Sequence, residues 1–311
     1  MIRSKKIDCL LIGDCFFDIT VKLSDYKKAL SIGGALETDS ITMMPGGMGN
    51  IAVPITMLGG IVALCGVVDN DALGRVYRED LEQNSVLSML LKKKTRSTGL
   101  LLALISSNAE RSFLVARGAN DYLKKSHVES AFEKFSPRVV FISGYSLNKK
   151  SMESILLNLI DLAHINNCKI VFDCTPFNLV HDKRDLFMHI ISKSYCTCLN
   201  YQEASSLLDM TDLETIITTL RKTQCFFALK LGSQGCILVT KRGVKRISAK
   251  KVPVKDTTGA GDCFAAAIAF GISRSFAEQE MGELGVKLGT LKAHYAGPRL
   301  PTNIRYRKNE V

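Results

Sequence analysis

The chain has 311 residues, of which 46% are hydrophobic and 23% charged, a composition that indicates a globular protein and excludes a disordered or fibrous one. No apolar run approaches the roughly 20 residues that span a bilayer. The apolar stretch after the basic N-terminus is too short for a signal peptide. We therefore expect a cytoplasmic protein without a membrane partner.

The formal net charge is +11, and a basic balance attracts anions, from nucleic acids to phosphorylated small molecules. The basic clusters lack interleaved aromatic side chains and the chain contains no Trp, whereas proteins that bind single strands stack bases on aromatic residues. We expect no nucleic-acid partner. The ten cysteines are scattered without a C-x-x-C pair, which favours buried free thiols over disulfides or metal ligands.

Residues 7–13 form an apolar run that ends at a glycine, which predicts a buried strand. Asp14 and Asp18 follow this strand. In extended backbone Phe16 and Asp18 project to one side, and the end of the first strand of an α/β sheet lies where ligands bind. The alternative is an aspartate that only stabilises a turn.

Gly46, Gly47 and Gly49 come directly before Asn50, at the start of a predicted helix over residues 51–58. Glycines let the backbone approach a ligand closely, and an Asn side chain both donates and accepts hydrogen bonds. The alternative is an Asn that only caps the helix. A strand at 61–68 and a helix at 70–83 are predicted next.

Residues 100–105 and 112–116 are short apolar runs joined by a polar segment, which predicts two strands without an intervening helix. Such strands do not belong to a βαβ sheet. We assign them, with part of 16–44, to a small β layer that would act as a lid. Exposed apolar strands in a small sheet also favour a homodimer through this lid.

Alternation of strands and helices resumes beyond residue 120. Strands are predicted at 139–142, 169–172, 195–199, 226–231, 236–240 and 244–248, and helices at 151–165, 212–222 and 277–295. This order predicts an α/β fold, a three-layer α/β/α sandwich with a mostly parallel central sheet and a small β-sheet lid.

Residues 252–270 contain Gly259 and Gly261, followed by small apolar residues that predict a helix. The first N–H groups of a helix are unpaired and make an anion site. Asp262 would lie in the first turn, beside that anion. It is either a base that accepts a proton from an attacking hydroxyl or a carboxylate that stabilises the helix N-terminus. On this stretch alone the two interpretations are equal.

Four polar clusters therefore fall at strand ends of one predicted sheet, which indicates a ligand cleft. They are Asp14 with Asp18, residues 46–50, Asn200 with Glu203, and residues 259–262.

With these clusters the chain resembles the ribokinase, or PfkB-type, family of carbohydrate and nucleoside kinases along nearly its whole length. Residues 256–264, DTTGAGDCF, resemble the family's C-terminal signature, and residues 46–52, GGMGNIA, its N-terminal glycine motif. Supporting matches follow in the family's order at residues 66–74 and 118–120, at Asn200 with Glu203, and at Gly232 with Gly235.

The resemblance implies one ribokinase-like domain over residues 1–311, with a lid of about 16–44 and 96–118, that transfers the γ-phosphoryl group of ATP to a sugar hydroxyl. Asp262 would be the base. The backbone of Gly259, Ala260, Gly261 and Asp262 would form the anion hole.

The resemblance also implies ligands for both substrates and for metal ions. Implied acceptor ligands are Asp14, Phe16, Asp18, Gly46, Gly47 and Asn50, and implied nucleotide ligands are Asn200, Lys230, Gly232, Gly235, Thr258, Gly259 and Gly261. Glu203 would hold Mg²⁺ through water. Asp256 matches a position near the family's monovalent-cation loop, which makes K⁺ dependence a hypothesis.

The identity of the acceptor stays open. Where ribokinases place an Asn two residues before the acceptor-binding aspartate, this chain has Phe16. An apolar ring there weakens the case for ribose and suits a nucleobase or a less hydroxylated substrate, unless it only packs in the lid or the core. A small sugar is the leading expectation. A nucleoside of the adenosine, cytidine, guanosine or pseudouridine type is the main alternative, and a non-catalytic regulatory member of the fold ranks below both.

Overall fold

The computed structural model describes residues 4–24, 31, 33, 35–38, 41–94, 96–106 and 111–301. The strands of this part are β1 (Lys5–Ile12), β2 (Phe16–Lys22), β3 (Ile41–Pro45), β4 (Val62–Asp69), β5 (Leu87–Lys93), β6 (Gly99–Ile105), β7 (Arg111–Ala116), β8 (Phe135–Ser143), β9 (Lys169–Asp173), β10 (Cys196–Asn200), β11 (Phe226–Lys230), β12 (Cys236–Thr240) and β13 (Gly243–Ile247). The helices are α1 (Gly49–Met57), α2 (Ala72–Gln83), α3 (Lys125–Lys134), α4 (Lys150–Ile165), α5 (Phe177–Asp182), α6 (Arg184–Lys193), α7 (Tyr201–Leu208), α8 (Leu213–Lys222), α9 (Ala260–Ser273) and α10 (Glu278–Ala293).

The large sheet has the strand order β13-β12-β11-β10-β9-β8-β1-β4-β5. Neighbours from β11 to β5 pair in parallel, and β12 and β13 add an antiparallel edge. The predicted mostly parallel sheet is confirmed. The sequence analysis did not predict β5 or the helices α3, α5, α6 and α7.

Apolar side chains on both faces of the sheet explain its two helical layers. Along β1, Leu10 and Ile12 belong to a core that includes residues of α3 to α8. Cys9 and Leu11 point to the other face and belong to a core formed with α1, α2, α9 and α10. Because successive residues of a strand face opposite sides, one apolar strand supplies both cores, and the predicted three-layer sandwich is confirmed.

A second, smaller sheet has the strand order β3-β2-β6-β7. Its strands β2 and β6 pair in parallel, whereas β2 with β3 and β6 with β7 pair antiparallel. The prediction of a separate β layer is confirmed. The polar segment between the two predicted strands lies mostly outside the described residues, because 107–110 are not among them.

All ten cysteines are free thiols, nine of them buried and Cys225 half-buried, as predicted. Among the described helices none is long and apolar enough to cross a membrane.

Candidate active site

A cavity of about 640 Å³ lies where the carboxyl ends of β8 to β11 and the segment after β1 face the second sheet. The four clusters predicted from the sequence come together in its wall. The predicted site residues that line it are Asp14, Phe16, Asp18, Gly47, Asn50, Asn200, Glu203, Lys230, Thr258, Gly259, Gly261 and Asp262. Gly46, Ala260, Gly232, Gly235 and Asp256 are not among its lining residues.

The turn before α9 brings Asp262 into the cavity. Gly259 takes φ +75° at the N-cap of α9, a left-handed conformation that glycine adopts without steric cost. A Cβ on Gly259 would lie 1.7 Å from the carbonyl oxygen of Pro298, so only glycine fits there. Asp262 follows in the first helical turn. This local geometry agrees with the prediction from the GAGD sequence.

The same turn leaves backbone donors at the start of α9. The Ala260 N–H donates to the Thr257 carbonyl at 3.2 Å, so it already has an acceptor inside the turn. The N–H groups of Gly261 and Asp262 have no backbone acceptor in the described part of the chain. Donors of this kind at a helix N-terminus attract anions. The N–H groups of Gly261 and Asp262 are therefore candidate donors to an anion, and an anion hole over residues 259–262 stays a prediction.

Asp18 and Asn50 lie side by side in the cavity wall. The Asn50 Nδ2 group donates to Asp18 Oδ2 at 3.4 Å. Within the described residues, Oδ1 of Asp18 and Oδ1 of Asn50 are buried without a hydrogen-bond partner. A buried polar atom without a partner is costly, and here two such atoms occur on adjacent side chains that line a cavity. They are suited to bind hydroxyl groups of a ligand.

Burial shifts the ionisation of the carboxyl groups in this wall. The pKa of Asp262 is raised to about 6, mainly by burial and in part by the charge of Asp173, while Lys230 and Asn50 oppose the shift. Burial likewise raises the pKa of Asp18 to about 7, with a contribution from the charge of Asp262. A carboxylate with a pKa near neutrality is a better proton acceptor than an ordinary aspartate.

Gly46 lies directly behind Asp18 rather than in the cavity wall. A Cβ on Gly46 would lie 1.9 Å from Asp18 Oδ2. The carbonyl of Gly46 accepts a 2.7 Å hydrogen bond from the hydroxyl of Tyr77, which is fully buried and in turn accepts from the Gly49 N–H at 3.2 Å. The glycine motif and Tyr77 thus fix the position of the Asp18 carboxylate.

In another part of the cavity wall, Lys230 Nζ contacts Asp173 Oδ1 at 2.9 Å. A Cβ on Gly261 would lie 3.5 Å from the same ammonium group, which places Lys230 beside the turn before α9. Burial and the charge of Asp173 raise the pKa of Glu203 to about 7, against the effect of Lys230. Asn200 and Glu203 form a capping box at the start of α7, with bonds of 2.7 and 2.8 Å.

These residues fit a divalent cation that is shared with a ligand. The buried carboxylates Asp173 and Glu203 line the cavity together with the Lys230 ammonium group, and the charges of both act on Lys230. Among the described residues no group of three or more His, Cys, Asp or Glu could hold a metal alone. Mg²⁺ is commonly held by one or two carboxylates together with water and substrate phosphates, and this donor set matches that arrangement.

Asp14 lines the cavity, but its oxygens already have partners. Arg117 donates to both Asp14 oxygens, at 2.6 and 3.0 Å, and its Nε donates to Asp121 at 2.8 Å. Burial raises the pKa of Asp14 despite this partner. The ion pair between Asp14 and Arg117 thus joins the segment after β1 to the segment after β7 and has a structural role.

Three predicted residues serve turns outside the cavity wall. Asp256 Oδ1 accepts from the Thr258 N–H and hydroxyl at 2.9 and 2.6 Å, and its Oδ2 accepts from the Gly297 N–H at 2.9 Å. Gly232 and Gly235, both at positive φ, form the tight turn between β11 and β12.

Comparison with known proteins assigns the family. A model described as pfkB family carbohydrate kinase matches residues 7–305. The chain belongs to this family. It is therefore a carbohydrate kinase. The membership of this family that was predicted from the sequence is confirmed.

Individual relatives of this pfkB kinase are distant but cover nearly the whole chain. A ribokinase of Lactococcus lactis is 27% identical over 278 residues, which cover 89% of this chain and 87% of the relative. The solved adenosine kinase from Sinorhizobium meliloti has a TM-score of 0.86 at 23% identity, covering 96% of this chain and 97% of that chain. A structure from E. coli in complex with ATP and Mg²⁺ has a TM-score of 0.79 at 20% identity, covering 95% and 94%. These structures confirm the ribokinase-like fold.

Sequence reasoning missed several polar residues of this pfkB site. Asp173, Arg117, Tyr77 and Lys292 were not predicted as site residues, although each contacts a predicted one. For Asp173 a signal existed, since it ends a buried strand. For the others the partners lie 31 to 103 residues away in sequence, and no local pattern indicates such pairs.

Proposed function

We propose that this kinase transfers the γ-phosphoryl group of ATP to a hydroxyl group of a small neutral sugar or riboside. The observation that carries the proposal is the position of Asn50, whose side chain interacts with both Asp18 and Asp262. Asp18 and Asn50, the candidate ligands for an acceptor hydroxyl, therefore lie next to Asp262 in the first turn of α9. An acceptor hydroxyl bound by Asp18 and Asn50 would lie between the base and the N–H groups of the turn.

In this mechanism Asp18 and Asn50 orient the acceptor and Asp262 removes its proton as the hydroxyl oxygen attacks the γ-phosphorus. The bond between that phosphorus and the β,γ-bridging oxygen breaks, and ADP leaves. The N–H groups of Gly261 and Asp262 stabilise the charge on the transferring group. The raised pKa of Asp262, about 6, makes proton transfer from the hydroxyl more favourable than it would be to an ordinary carboxylate.

We assign Glu203, Asn200 and Asp173 to the metal and polyphosphate side of the cavity. Bound Mg²⁺ would neutralise charge on the β- and γ-phosphates. Lys230, beside the turn before α9, is positioned to contact the same phosphates. Thr258 lines the cavity next to the turn. Gly232 and Gly235 remain proposed nucleotide contacts through the backbone of their turn.

The charges around the acceptor favour an uncharged molecule. Among the described residues that line the cavity, each Lys or Arg has a carboxylate partner. Arg117 pairs with Asp14, Lys149 with Asp121 and Lys230 with Asp173. A sugar phosphate would have to compete for these cations and would also lie near Asp18. We therefore expect discrimination against phosphorylated acceptors.

A nucleoside is the second candidate, and the apolar part of the cavity wall favours it. Phe16 is 7% exposed and lines the cavity. Leu101, Phe113 and Val115 line it from the second sheet. Free ribose has hydroxyl groups on all sides and gains little from such a wall, whereas a nucleobase would bury an apolar face against it.

We also propose that the second sheet closes over the acceptor as a lid of a single kinase domain, and that two copies pair through it. Asp18, Leu101 and Val115 face the cavity, so the intervening residues face away. Met43, Ile19, Leu102 and Leu114 form one apolar cross-strand row on that outer face. Met43 is 54% exposed and Leu114 60%, which suits a surface covered by a partner.

An ATP-consumption screen tests the proposed function. The acceptors are ribose, fructose, fructose phosphates, inositol, adenosine, cytidine, guanosine and pseudouridine, with the Asp262→Asn variant as the matched control for contaminating kinases. We expect acceptor-dependent ADP formation with at least one neutral sugar or nucleoside and none with the phosphates. Equal rates for the wild type and Asp262→Asn with every acceptor would contradict the proposal.

A further inference from the structure

A lysine side chain is fully buried behind the turn that begins α9. Lys292 lies in the last turn of α10 and has no solvent exposure. Its Nζ donates to the carbonyl oxygen of Tyr295 at 2.8 Å and to that of Asp256 at 3.2 Å. Burying an ammonium group is unfavourable unless hydrogen bonds and nearby negative charge compensate. The two carbonyl groups therefore hold the Lys292 ammonium group at one position beside this loop.

The two carbonyl groups that bind Lys292 belong to the loop that supports the anion turn. Asp256 begins this turn, and its carboxylate holds Thr258 and Gly297. The N–H groups of Lys255 and Asp256 both donate to the Ala293 carbonyl, at 2.8 and 3.2 Å. Lys292 thus joins the end of α10 to the segment that leads into Gly259.

Backbone carbonyl groups that converge on one positive charge are also the ligands by which proteins hold K⁺. Asp256 is the residue whose sequence position suggested a monovalent-cation loop. The backbone carbonyl of Asp256 already accepts a hydrogen bond from the Lys292 ammonium group. A second monovalent cation on the same carbonyls would be repelled by Lys292 at short distance in a buried environment. The residues present therefore do not fit a K⁺ ion at this carbonyl pair.

We propose that the Lys292 ammonium group takes the place of a bound monovalent cation at this loop, so that phosphoryl transfer does not require K⁺. The inference rests on the proposed kinase function and assigns Lys292 as a positioning residue for it. Lys292 holds the Asp256 carbonyl and thereby fixes the turn that carries Gly261 and Asp262. Its charge acts on both aspartates, since it lowers the pKa of Asp256 and of Asp262.

The first test needs no variant. Turnover of the wild type is measured with KCl, NaCl or tetramethylammonium chloride at equal ionic strength. We expect equal kcat/KM in the three salts. Activation by K⁺ over tetramethylammonium would overturn the inference, whether or not any variant folds.

The second test replaces the ammonium group. In Lys292→Ala, kcat should fall by about 10²-fold without added K⁺, because displacing a catalytic group by about 1 Å has an effect of that size. K⁺ or NH₄⁺ should restore part of this loss by binding the freed carbonyl groups, and the acid limb of the pH profile should move to higher pH. Lys287→Ala, on the same helix and half-buried, is the matched control and should show neither change.

Thermal unfolding separates this inference from the proposed function. KCl should raise the Tm of Lys292→Ala above its value in tetramethylammonium chloride, and should leave the wild type and Lys287→Ala unchanged. This readout stands even if no acceptor supports turnover, a result that would count against the kinase proposal alone. A Lys292→Ala protein that responds to neither K⁺ nor NH₄⁺, in Tm or in activity, would show a purely structural lysine and overturn the inference.

Discussion

The two sides of the cavity are built in different ways. The turn before α9, which we assign to the phosphates, is one short segment that supplies the left-handed Gly259, the N–H groups of α9 and Asp262. On the acceptor side, contacts join distant parts of the chain, as between Asp14 and Arg117, 103 residues apart. The difference suggests that substitutions on the phosphate side will change kcat, whereas those on the acceptor side will change the acceptor KM or stability.

The largest effect is expected at Asp262. Asp262→Asn keeps the helix start but removes the proton acceptor, so kcat should fall by about 10³-fold. ATP affinity should not fall, because the substitution removes a negative charge beside the phosphates. Steady-state kinetics and calorimetric titration with ATP measure the two quantities. Substantial residual turnover would remove Asp262 from the role of base.

Removing Arg117 tests how the acceptor side is held together. Arg117→Met leaves Asp14 buried without its cation, which should lower the free energy of unfolding by about 3–5 kcal/mol. Burial already raises the pKa of Asp14 and Arg117 lowers it, so in the variant this pKa rises further. The destabilisation should therefore be full at high pH and shrink as the pH falls and Asp14 takes up a proton.

Chemical denaturation at pH 5 and pH 8 measures this effect. The double variant Arg117→Met with Asp14→Asn should recover part of the lost stability at pH 8, because the uncompensated charge is gone. A single variant as stable as the wild type at both pH values would show that the ion pair does not hold the two segments together.

Asp18→Ala tests the acceptor ligands directly. Losing hydrogen bonds to a charged group should raise the acceptor KM by about 10- to 100-fold, while the KM for ATP stays near its wild-type value. Steady-state kinetics of the variant and the wild type measure the change in each of the two KM values. An unchanged acceptor KM would mean that Asp18 is a turn residue.

A smaller effect is expected at Gly46. In Gly46→Ala the new methyl group would overlap the Asp18 carboxylate and shift it, which should raise the acceptor KM by about tenfold, equivalent to about 1.4 kcal/mol of overpacking. Gly243→Ala is the control for replacing a glycine away from the cavity: its φ of +141° strains the alanine backbone, but a Cβ there meets no atom within 4 Å, so the acceptor KM should not change. Equal acceptor KM values in the two variants would show that Gly46 does not set the position of Asp18.

Local sequence patterns were sufficient to predict the turn before α9. The start of α9 was predicted because glycines, an acidic residue and a small apolar run follow one another within a single segment. The alternation of strands and helices predicted the main sheet, and a pair of strands without a helix between them predicted the second sheet. Each of these signals depends on neighbours within about one element.

Long-range contacts could not be predicted in the same way. Nothing in the residues around Arg117 indicates that both oxygens of Asp14 are its partners. Lys292 follows the buried Leu288 by four residues on the inner face of α10, a position where a charged side chain is not expected, and the structure buries it against the loop at Asp256. Edge strand β5 carries lysines at its end and lacks a clear apolar pattern. Such features depend on which elements meet in space.

The pH dependence of kcat/KM tests most directly whether Asp262 is the base. For the wild type, kcat/KM should fall as the pH drops through about 7 and 6, where Asp18 and Asp262 take up protons. Because the charge of Asp173 raises the pKa of Asp262, the lower step should move to lower pH in Asp173→Asn. A profile that is flat from pH 5 to 8, or a lower step that Asp173→Asn leaves in place, would contradict a base at Asp262.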